Sequence, residues 1–309
     1  PGHPLMVQSW WRLQMAAPAE LEESLLWQLP QLGIHRVALQ HRPEAPAERE
    51  LVAWLPASDW PELERAALPA ALEPLAATFG LALPPLRWQH QDDEDWSLSW
   101  KQHWQADAIG ERLLILPAWL PCPPEHQQRL VIQMDPGSAF GTGSHPTTRL
   151  CLEALERLAA ERGGSLAGLQ VADLGCGSGV LGLAALRLGA AAVAAADTDT
   201  LAVTATSDNA RLNGLAPALQ VVQGSATELT ALLQGQQADL LLCNILAPVI
   251  EALSPSFGQL LSGSGVGVLS GLLVEQAPRL QQVLSELGWQ AQLEASQGPW
   301  GLLVLHKSR

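Results

Sequence analysis

Apolar and polar positions along residues 5–90 alternate in a way that predicts strands and helices in turn. Strand-like patterns occupy residues 5–15, 34–40, 49–56 and 82–91, and helical patterns occupy residues 18–33 and 59–80. The first helix opens at Pro18 and closes near Gly33, while Asp59 is suited to cap the second. The order β-α-β-β-α-β is that of a split βαβ unit, so we predict a small ferredoxin-like α+β domain.

From residue 111 onward, strands that are apolar throughout alternate with helical patterns. The strands are predicted at 111–120, 129–134, 169–176, 191–198, 218–224, 238–246, 265–271, 289–296 and 300–307, and the helices at 147–164, 179–189, 200–214, 247–261 and 274–288. Continuously apolar strands are typical of parallel sheets buried on both faces, so we predict an α/β domain with a doubly wound, Rossmann-like sheet. The last two strands have no helix between them, which predicts an antiparallel hairpin at one edge.

The segment between these two regions carries three tryptophans at a helical spacing. Trp96, Trp100 and Trp104 are four residues apart and follow a run of acids, which predicts a helix with its rings on one face. A connecting helix that packs this stripe on a domain is favoured, and a partner-binding surface is the alternative. The predicted domains are therefore 5–90, a linker helix at 91–110, and 111–309.

The composition fits a well-packed protein of two domains, with 309 residues, 48% hydrophobic and 16% charged. No long uncharged apolar run is present and residues 1–11 do not resemble a signal peptide, so we expect neither a membrane span nor secretion. Cys122, Cys151, Cys176 and Cys243 form no CxxC pair, which favours reduced thiols in a cytoplasmic protein without a metal site.

The formal net charge of −14 bears on the partner. Phosphate contacts need Lys and Arg, so we expect no direct binding of nucleic acid. An acidic surface would attract a cationic partner, although many soluble proteins are simply acidic.

A glycine-rich turn between two predicted strands is the strongest local signal of chemistry. One strand ends at Asp173, glycines follow at Gly175, Gly177 and Gly179, and the next strand ends at Asp197. Glycines let a backbone approach a ligand closely, and the N-terminus of the following helix offers N–H donors. An acid about twenty residues further on can accept hydrogen bonds from ribose hydroxyls.

Two cofactors compete for this turn. Gly177, Gly179 and Gly182 form GxGxxG, the dinucleotide pattern of nicotinamide-dependent oxidoreductases. From Asp173 the same residues form DxGxGxG, which resembles the first motif of class I S-adenosylmethionine-dependent methyltransferases. Asp173 favours the methyltransferase, because a carboxylate there can meet the cofactor's amino group, directly or through water, but would repel a pyrophosphate.

Asn244 ends a predicted strand at the edge of the sheet where ligands bind in open α/β folds. Its side-chain carbonyl could accept a hydrogen bond from an amine and aim the amine's lone pair at an electrophilic methyl group. The alternative is a capping role for the helix that contains Pro248.

The loop "DPGSAFGTGSHPTT" leads into a helix upstream of the glycine turn. Thr147 and Thr148 could offer hydroxyl and N–H donors to a carboxylate at that helix N-terminus. Gly141 and Gly143 would let the loop close over a ligand as a lid, with Phe140 covering apolar surface. His145 is favoured as a hydrogen-bonding loop residue over a general base.

The segments "DPGSAFGTGSHPTTRLCLEAL", "DLGCGSGVLGLAALRLGA", "DTDTLAVTATSDNARLNG" and "NILA" together resemble the PrmA family of methyltransferases that act on ribosomal protein L-eleven (L11). The resemblance implies S-adenosylmethionine as cofactor and methyl transfer to the N-terminal α-amine and lysines of L11, held by the ferredoxin-like domain. It implies Thr148, Gly175, Asp197 and Asn244 as principal cofactor contacts. The predicted site therefore comprises Thr147, Thr148, Asp173, Gly175, Gly177, Gly179, Asp197 and Asn244, with Asn244 as the catalytic residue.

The chain departs from the family pattern in three places. "NILAPVI" lacks one residue before its proline, residues 1–90 match only in pattern, and Ser225 and Ala226 offer no carboxylate to an adenine amino group. The alternatives are a methyltransferase for another protein or a small amine, an oxidoreductase, or a binding module that keeps the fold without catalysis.

Overall fold

The computed structural model describes residues 9–42, 45–92, 104–135 and 145–309. The chain divides into two compact units, Pro1–Gln105 and Ala106–Arg309. Trp96, Trp100, Phe140, Gly141 and Gly143, on which we predict an aromatic stripe and a lid, lie outside the described residues.

The first unit is a four-stranded antiparallel sheet with two helices. Its elements are β1 (Ser9–Ala16), α1 (Ala19–Gln31), β2 (Arg36–Arg42), β3 (Ala45–Pro56), α2 (Glu62–Thr78) and β4 (Arg87–Asp92). The strand order is β2-β3-β1-β4 with every pair antiparallel, so the predicted ferredoxin-like arrangement is confirmed. Alternate strand residues such as Leu13 and Leu51 pack on Leu21 and Leu72 of the helices, which explains the period of two in the sequence.

The second unit begins with a small sheet tied to a helix by polar contacts. The elements are β5 (Asp107–Ile109), β6 (Leu113–Pro117), β7 (Leu130–Met134) and the helix α3 (Pro146–Glu161). Both oxygens of Glu156 accept backbone N–H groups of the β5–β6 turn at 2.9 Å. Arg149 forms a two-pronged ion pair with Asp107 at 2.7 and 2.8 Å. These contacts tie α3 to the small sheet at its first turn and again two turns further along.

A seven-stranded sheet forms the body of the second unit, in the order β10-β9-β8-β11-β12-β14-β13. The strands β8 to β12 pair in parallel, and β14 pairs antiparallel with β12 and β13, so the doubly wound sheet with an antiparallel hairpin at its edge is confirmed. Its elements in chain order are β8 (Gln170–Leu174), α4 (Val180–Arg187), β9 (Ala192–Asp197), α5 (Thr200–Leu212), β10 (Leu219–Gln223), α6 (Ala226–Leu232), β11 (Ala238–Asn244), α7 (Ala247–Leu253), α8 (Phe257–Leu260), β12 (Leu261–Leu273), α9 (Ala277–Glu286), β13 (Trp289–Gln297) and β14 (Trp300–Lys307).

The structure differs from the predicted elements at a few places. Helix α6 is absent from the prediction, although Ser225 and Glu228 form a capping box at its start. The helix predicted at 247–261 is divided into α7 and α8 by a 3₁₀ turn at Pro255, which has no N–H to continue the helical ladder. The predicted linker helix at 91–110 differs at both ends, because 91–92 belong to β4 and 107–109 form β5. Among the described helices, none combines the length and the apolar composition needed to cross a bilayer.

Candidate functional site

The carboxyl ends of three neighbouring strands bring the predicted residues together. Asp173 of β8 lies opposite Ala195 of β9 and Leu242 of β11, so the strand ends at Asp197 and Asn244 flank the turn that follows Asp173. The helices after β8 and β11 leave the sheet where the strand order reverses. Such a point opens a crevice that binds ligands in doubly wound folds.

The glycine turn adopts a backbone shape that other residues rarely take. Gly175, Gly177 and Gly179 have φ values of +77°, +56° and +84°. A Cβ on Gly175 would lie 2.5 Å from Cγ2 of Ile245, and one on Gly179 would lie 3.0 Å from Cγ2 of Thr206. All three positions therefore favour glycine by conformation, and Gly175 and Gly179 also by close packing.

Asp197 fixes this turn through its side chain. Its Oδ2 accepts the N–H of Gly177 at 2.9 Å, and its Oδ1 accepts the N–H of Asp199 at 3.0 Å. Partial burial raises the pKa of Asp197, and these backbone N–H groups oppose the rise. Each carboxylate oxygen has a second lone pair, so Asp197 can hold the turn and still accept hydrogen bonds from a ligand diol.

Asp173 lies beneath the turn and is only 1% exposed. The backbone N–H of Gly182, in the first turn of α4, donates to its carboxylate. Burial, with a smaller contribution from Asp197, raises the pKa of Asp173 to about 7. Its Oδ2 has no hydrogen-bond partner within the described parts of the chain. Asp173 therefore supports the start of α4 from inside the protein.

Gly182 is accounted for by packing. An added Cβ would lie 2.9 Å from Cγ1 of Val193 on β9, so a glycine lets α4 approach the sheet. Dinucleotide-binding turns place a glycine there for the same reason. Gly182 thus does not decide between the two cofactors.

The first turn of α3 carries the two predicted threonines. His145 caps this helix, since its Nδ1 accepts the N–H of Thr147 at 3.2 Å and lies 2.8 Å from the hydroxyl of that residue. The His145 ring also packs edge-on against Trp300, with centroids 5.2 Å apart. The N–H of Thr147 is thereby used inside the protein, whereas the Thr148 hydroxyl faces Asn244.

Asn244 is the junction between α3 and the end of β11. Its Nδ2 is 3.5 Å from the hydroxyl oxygen of Thr148, at the outer limit of a hydrogen bond. The residue is 8% exposed, and its buried Oδ1 finds no hydrogen-bond partner among the residues that the structure describes. Leu246 occupies the N-cap position of α7 with no side-chain cap bond, so Asn244 does not cap that helix. A buried acceptor of this kind is well suited to an incoming N–H donor.

Helix α5 supplies site residues that the sequence patterns do not single out. Thr206 donates to the carbonyl of Gly177 at 2.9 Å, and Asn209 donates to the carbonyl of Ser178 at 2.9 Å. The sequence feature that could have identified them is their spacing with Asn213, since residues three and four positions apart lie on one face of a helix. That face is polar on a helix whose buried side is otherwise alanine.

Comparisons with known proteins agree on one family. The family model described as ribosomal protein L11 methyltransferase (PrmA) matches residues 9–308. A ribosomal protein L11 methyltransferase of Parasynechococcus marenigrum (strain WH8102) is 64% identical over 294 residues, which cover 95% of this chain and 100% of that protein. Another, of Synechococcus sp. (strain RCC307), is 61% identical over 300 residues, 97% of this chain and 98% of its own. The crystal structure of a ribosomal protein L11 methylase from Lactobacillus delbrueckii subsp. bulgaricus superimposes with a TM-score of 0.58 at 31% identity, covering 67% of this chain and 100% of that one.

Proposed function

Because this chain belongs to the PrmA family of ribosomal protein L11 methyltransferases, we propose that it transfers methyl groups from S-adenosylmethionine to amino groups of L11. The amino groups are the N-terminal α-amine and lysine side chains. The observation that carries this proposal is the buried, unpartnered Oδ1 of Asn244 beside Thr148 and the glycine turn. This oxygen is a hydrogen-bond acceptor at the place where we expect the substrate amine to bind.

The described residues fit S-adenosylmethionine by their chemistry. Gly175, Gly177 and Gly179 allow a close approach to the backbone, and the free lone pairs of Asp197 suit ribose hydroxyls. The Thr148 hydroxyl is suited to the carboxylate of the methionine portion. The N–H and the hydroxyl of Thr147 both contact Nδ1 of His145, so we assign Thr147 to holding the first turn of α3 beside that carboxylate. Asp173 acts from below by holding the first turn of α4. When bound, the cofactor supplies an electrophilic methyl group.

The side chains at positions 225 and 226 offer no carboxylate acceptor to the adenine amino group of the cofactor. Ser225 at the end of β10 caps α6, and its backbone N–H donates to Glu228 at 3.0 Å. Ser225 and Ala226 carry no carboxylate, so a backbone carbonyl is the acceptor that we assign to adenine.

Asn244 orients the nucleophile in the proposed mechanism. Its Oδ1 accepts one N–H of a neutral amine, which leaves the nitrogen lone pair to point along the line of transfer. Positioning of this kind is the main contribution that a protein makes to a displacement at carbon. An amide has no basic nitrogen, and the His145 ring is engaged as a helix cap. We therefore assign the amine's proton to solvent water.

The substrate assignment follows from the family and from charge. A net charge of −14 favours capture of a cationic protein and opposes direct binding to nucleic acid. A small amine is also cationic but carries a single charge, so it gains less from such a surface than a cationic protein does. We therefore propose that this enzyme acts in the cytoplasm on a protein substrate, which the first unit holds.

Calorimetric titration and a methylation assay test the proposal in two steps. S-adenosylmethionine is titrated into the wild type and into Asp197→Ala, with NADH as the competing ligand, and methyl incorporation into L11 is then compared with a small primary amine. We expect binding of S-adenosylmethionine alone, weakened in the variant, and incorporation into L11. Binding of NADH instead would make the protein an oxidoreductase, and incorporation into the small amine alone would overturn the substrate.

A further inference from the structure

We propose that Thr206 and Asn209 of α5 are positioning residues that hold the glycine turn in its ligand-binding shape. The inference rests on the proposed function, because it assigns these residues a role in cofactor affinity. Both side chains are buried, Thr206 at 0% and Asn209 at 2% exposure, so neither touches a ligand directly.

Residues 177–179 of the turn each contact Thr206 or Asn209, through a hydrogen bond or by packing on the helix backbone. The carbonyl of Gly177 accepts from Thr206 while its N–H donates to Asp197, so side chains hold both polar groups of this peptide residue. The carbonyl of Ser178 accepts from Asn209. A Cβ on Gly179 would lie 3.3 Å from Cα of Thr206, so the helix backbone itself is packed on the turn. Helix α5 therefore sets the path of residues 177–179.

Asn209 also joins the turn to a second segment of the chain. Its Oδ1 accepts the backbone N–H of Asp135, just after β7, at 3.2 Å, while its Nδ2 donates to Ser178. The partners fix the amide orientation, because an N–H must face oxygen and a carbonyl must face the NH₂ group. One side chain thus links the end of β7 to the cofactor turn.

Asn213, one helical turn further on, provides an internal comparison. It is 9% exposed, and its amide pairs with the N–H and the carbonyl of Gln133 on β7, each at 2.8 Å. It resembles Asn209 in residue type, burial and attachment to the β7 segment. Its Nδ2 also donates to the backbone carbonyl of Asn209 at 2.7 Å, but within the part of the chain that the structure describes its side chain does not bond to the glycine turn. It therefore reports the cost of loosening β7 and the end of α5 without a direct loss at the turn.

Loss of a positioning hydrogen bond should lower the affinity for S-adenosylmethionine, because fewer molecules then have the glycine turn in its binding shape. A ligand's apparent Kd rises in inverse proportion to the fraction of protein in the binding shape. Removing one partner of a buried hydrogen bond leaves a carbonyl unsatisfied, and the turn then moves to satisfy it. If the competent shape falls to about a tenth of the population, the Kd rises about tenfold.

The test compares Thr206→Val, Thr206→Ser, Asn209→Ala and Asn213→Ala with the wild type. The Kd for S-adenosylmethionine is measured by calorimetry, the free energy of unfolding by urea, and backbone hydrogen exchange on the cofactor-free protein. We expect Thr206→Val and Asn209→Ala to raise the Kd about tenfold and to accelerate exchange at the amides of 177–179. Thr206→Ser keeps the hydroxyl and should retain wild-type affinity. Asn213→Ala should lose stability like Asn209→Ala, while its Kd stays within about twofold and its faster exchange is confined to β7 and the last turn of α5.

The exchange measurement separates this inference from the proposed function. Faster exchange at 177–179 in the two variants, in a protein that does not bind S-adenosylmethionine, would support the positioning role and refute the cofactor. Unchanged exchange at 177–179, or equal effects of Asn209→Ala and Asn213→Ala on both Kd and exchange, would overturn the positioning role.

Discussion

Replacement of Gly271 by alanine tests how the position of Asn244 is maintained. Gly271, near the end of β12, has φ +85°, and an added Cβ would lie 2.7 Å from the carbonyl carbon of Ile245 and 2.9 Å from its nitrogen. These are backbone atoms of the residue directly after Asn244, and the Ile245 N–H donates to the carbonyl of Ser270 at 3.2 Å. The overlap can be relieved only by a backbone shift beside Asn244.

The cost of this substitution has two parts. A left-handed conformation costs a non-glycine residue about 1–2 kcal/mol. The steric overlap adds about 1–3 kcal/mol, as overpacking does in cores. Gly271→Ala should therefore lower the free energy of unfolding by about 2–5 kcal/mol.

Gly298→Ala is the matched control. Gly298 lies in the β13–β14 turn with φ +56°, and an added Cβ would meet nothing within 4 Å. It carries the conformational cost without the overlap, so the difference between the two variants in urea unfolding isolates the steric part. A displacement of about 1 Å at Asn244 should also reduce turnover about a hundredfold in Gly271→Ala alone. Equal stability losses and equal turnover in the two variants would show that the backbone at Ile245 does not hold Asn244 in place.

Three further predictions follow from the site and the charge. Asn244→Ala should lower turnover about a hundredfold, as loss of one orienting hydrogen bond does, and leave the Kd for S-adenosylmethionine within a few fold. Unaffected turnover would exclude the orienting role. Burial raises the pKa of Asp173 to about 7. Above about pH 4 the unfolded chain has lost this proton while the folded protein retains it, so the free energy of unfolding falls as the pH rises from about 4 to about 7. Asp173→Asn lacks this titration, so its Tm relative to wild type should increase between pH 5 and pH 8; a constant difference would contradict the assignment. With a net charge of −14, the association rate with L11 should fall roughly tenfold as salt is raised toward 0.5 M, whereas a salt-independent rate would argue against electrostatic capture.

The sequence predicts the fold well where elements are long and regular. Strands β8, β11, β12 and β14 could be located because each is a largely continuous apolar run, as expected of a strand buried on both faces. Strand β13 is mostly exposed and could be located as the partner of β14, since no helix lies between them. Helix α6 spans Ala226–Leu232, about two turns, which is too short for a helical period to register. Strand β5 has three residues, and its pairing with β6 depends on the turn held by Glu156 from α3. That contact is not visible in either segment alone.

The candidate site divides in the same way. Asp197 and Asn244 could be predicted because they stand at strand ends, and parallel strands place those ends at one edge of the sheet. The depth of Asp173 beneath the turn depends on the packing of α4 over it, which no local pattern encodes. The roles of Thr206 and Asn209 likewise depend on contacts about thirty residues away in sequence.

Methyl transfer to L11 is tested by mass spectrometry of L11 after incubation with this protein and S-adenosylmethionine. We expect mass gains in steps of about 14 Da on the α-amine and on lysines, and none with Asp197→Ala. L11 that gains no mass while the wild type binds S-adenosylmethionine would contradict the assigned substrate. L11 that gains no mass with a wild type unable to bind the cofactor would contradict the methyltransferase itself.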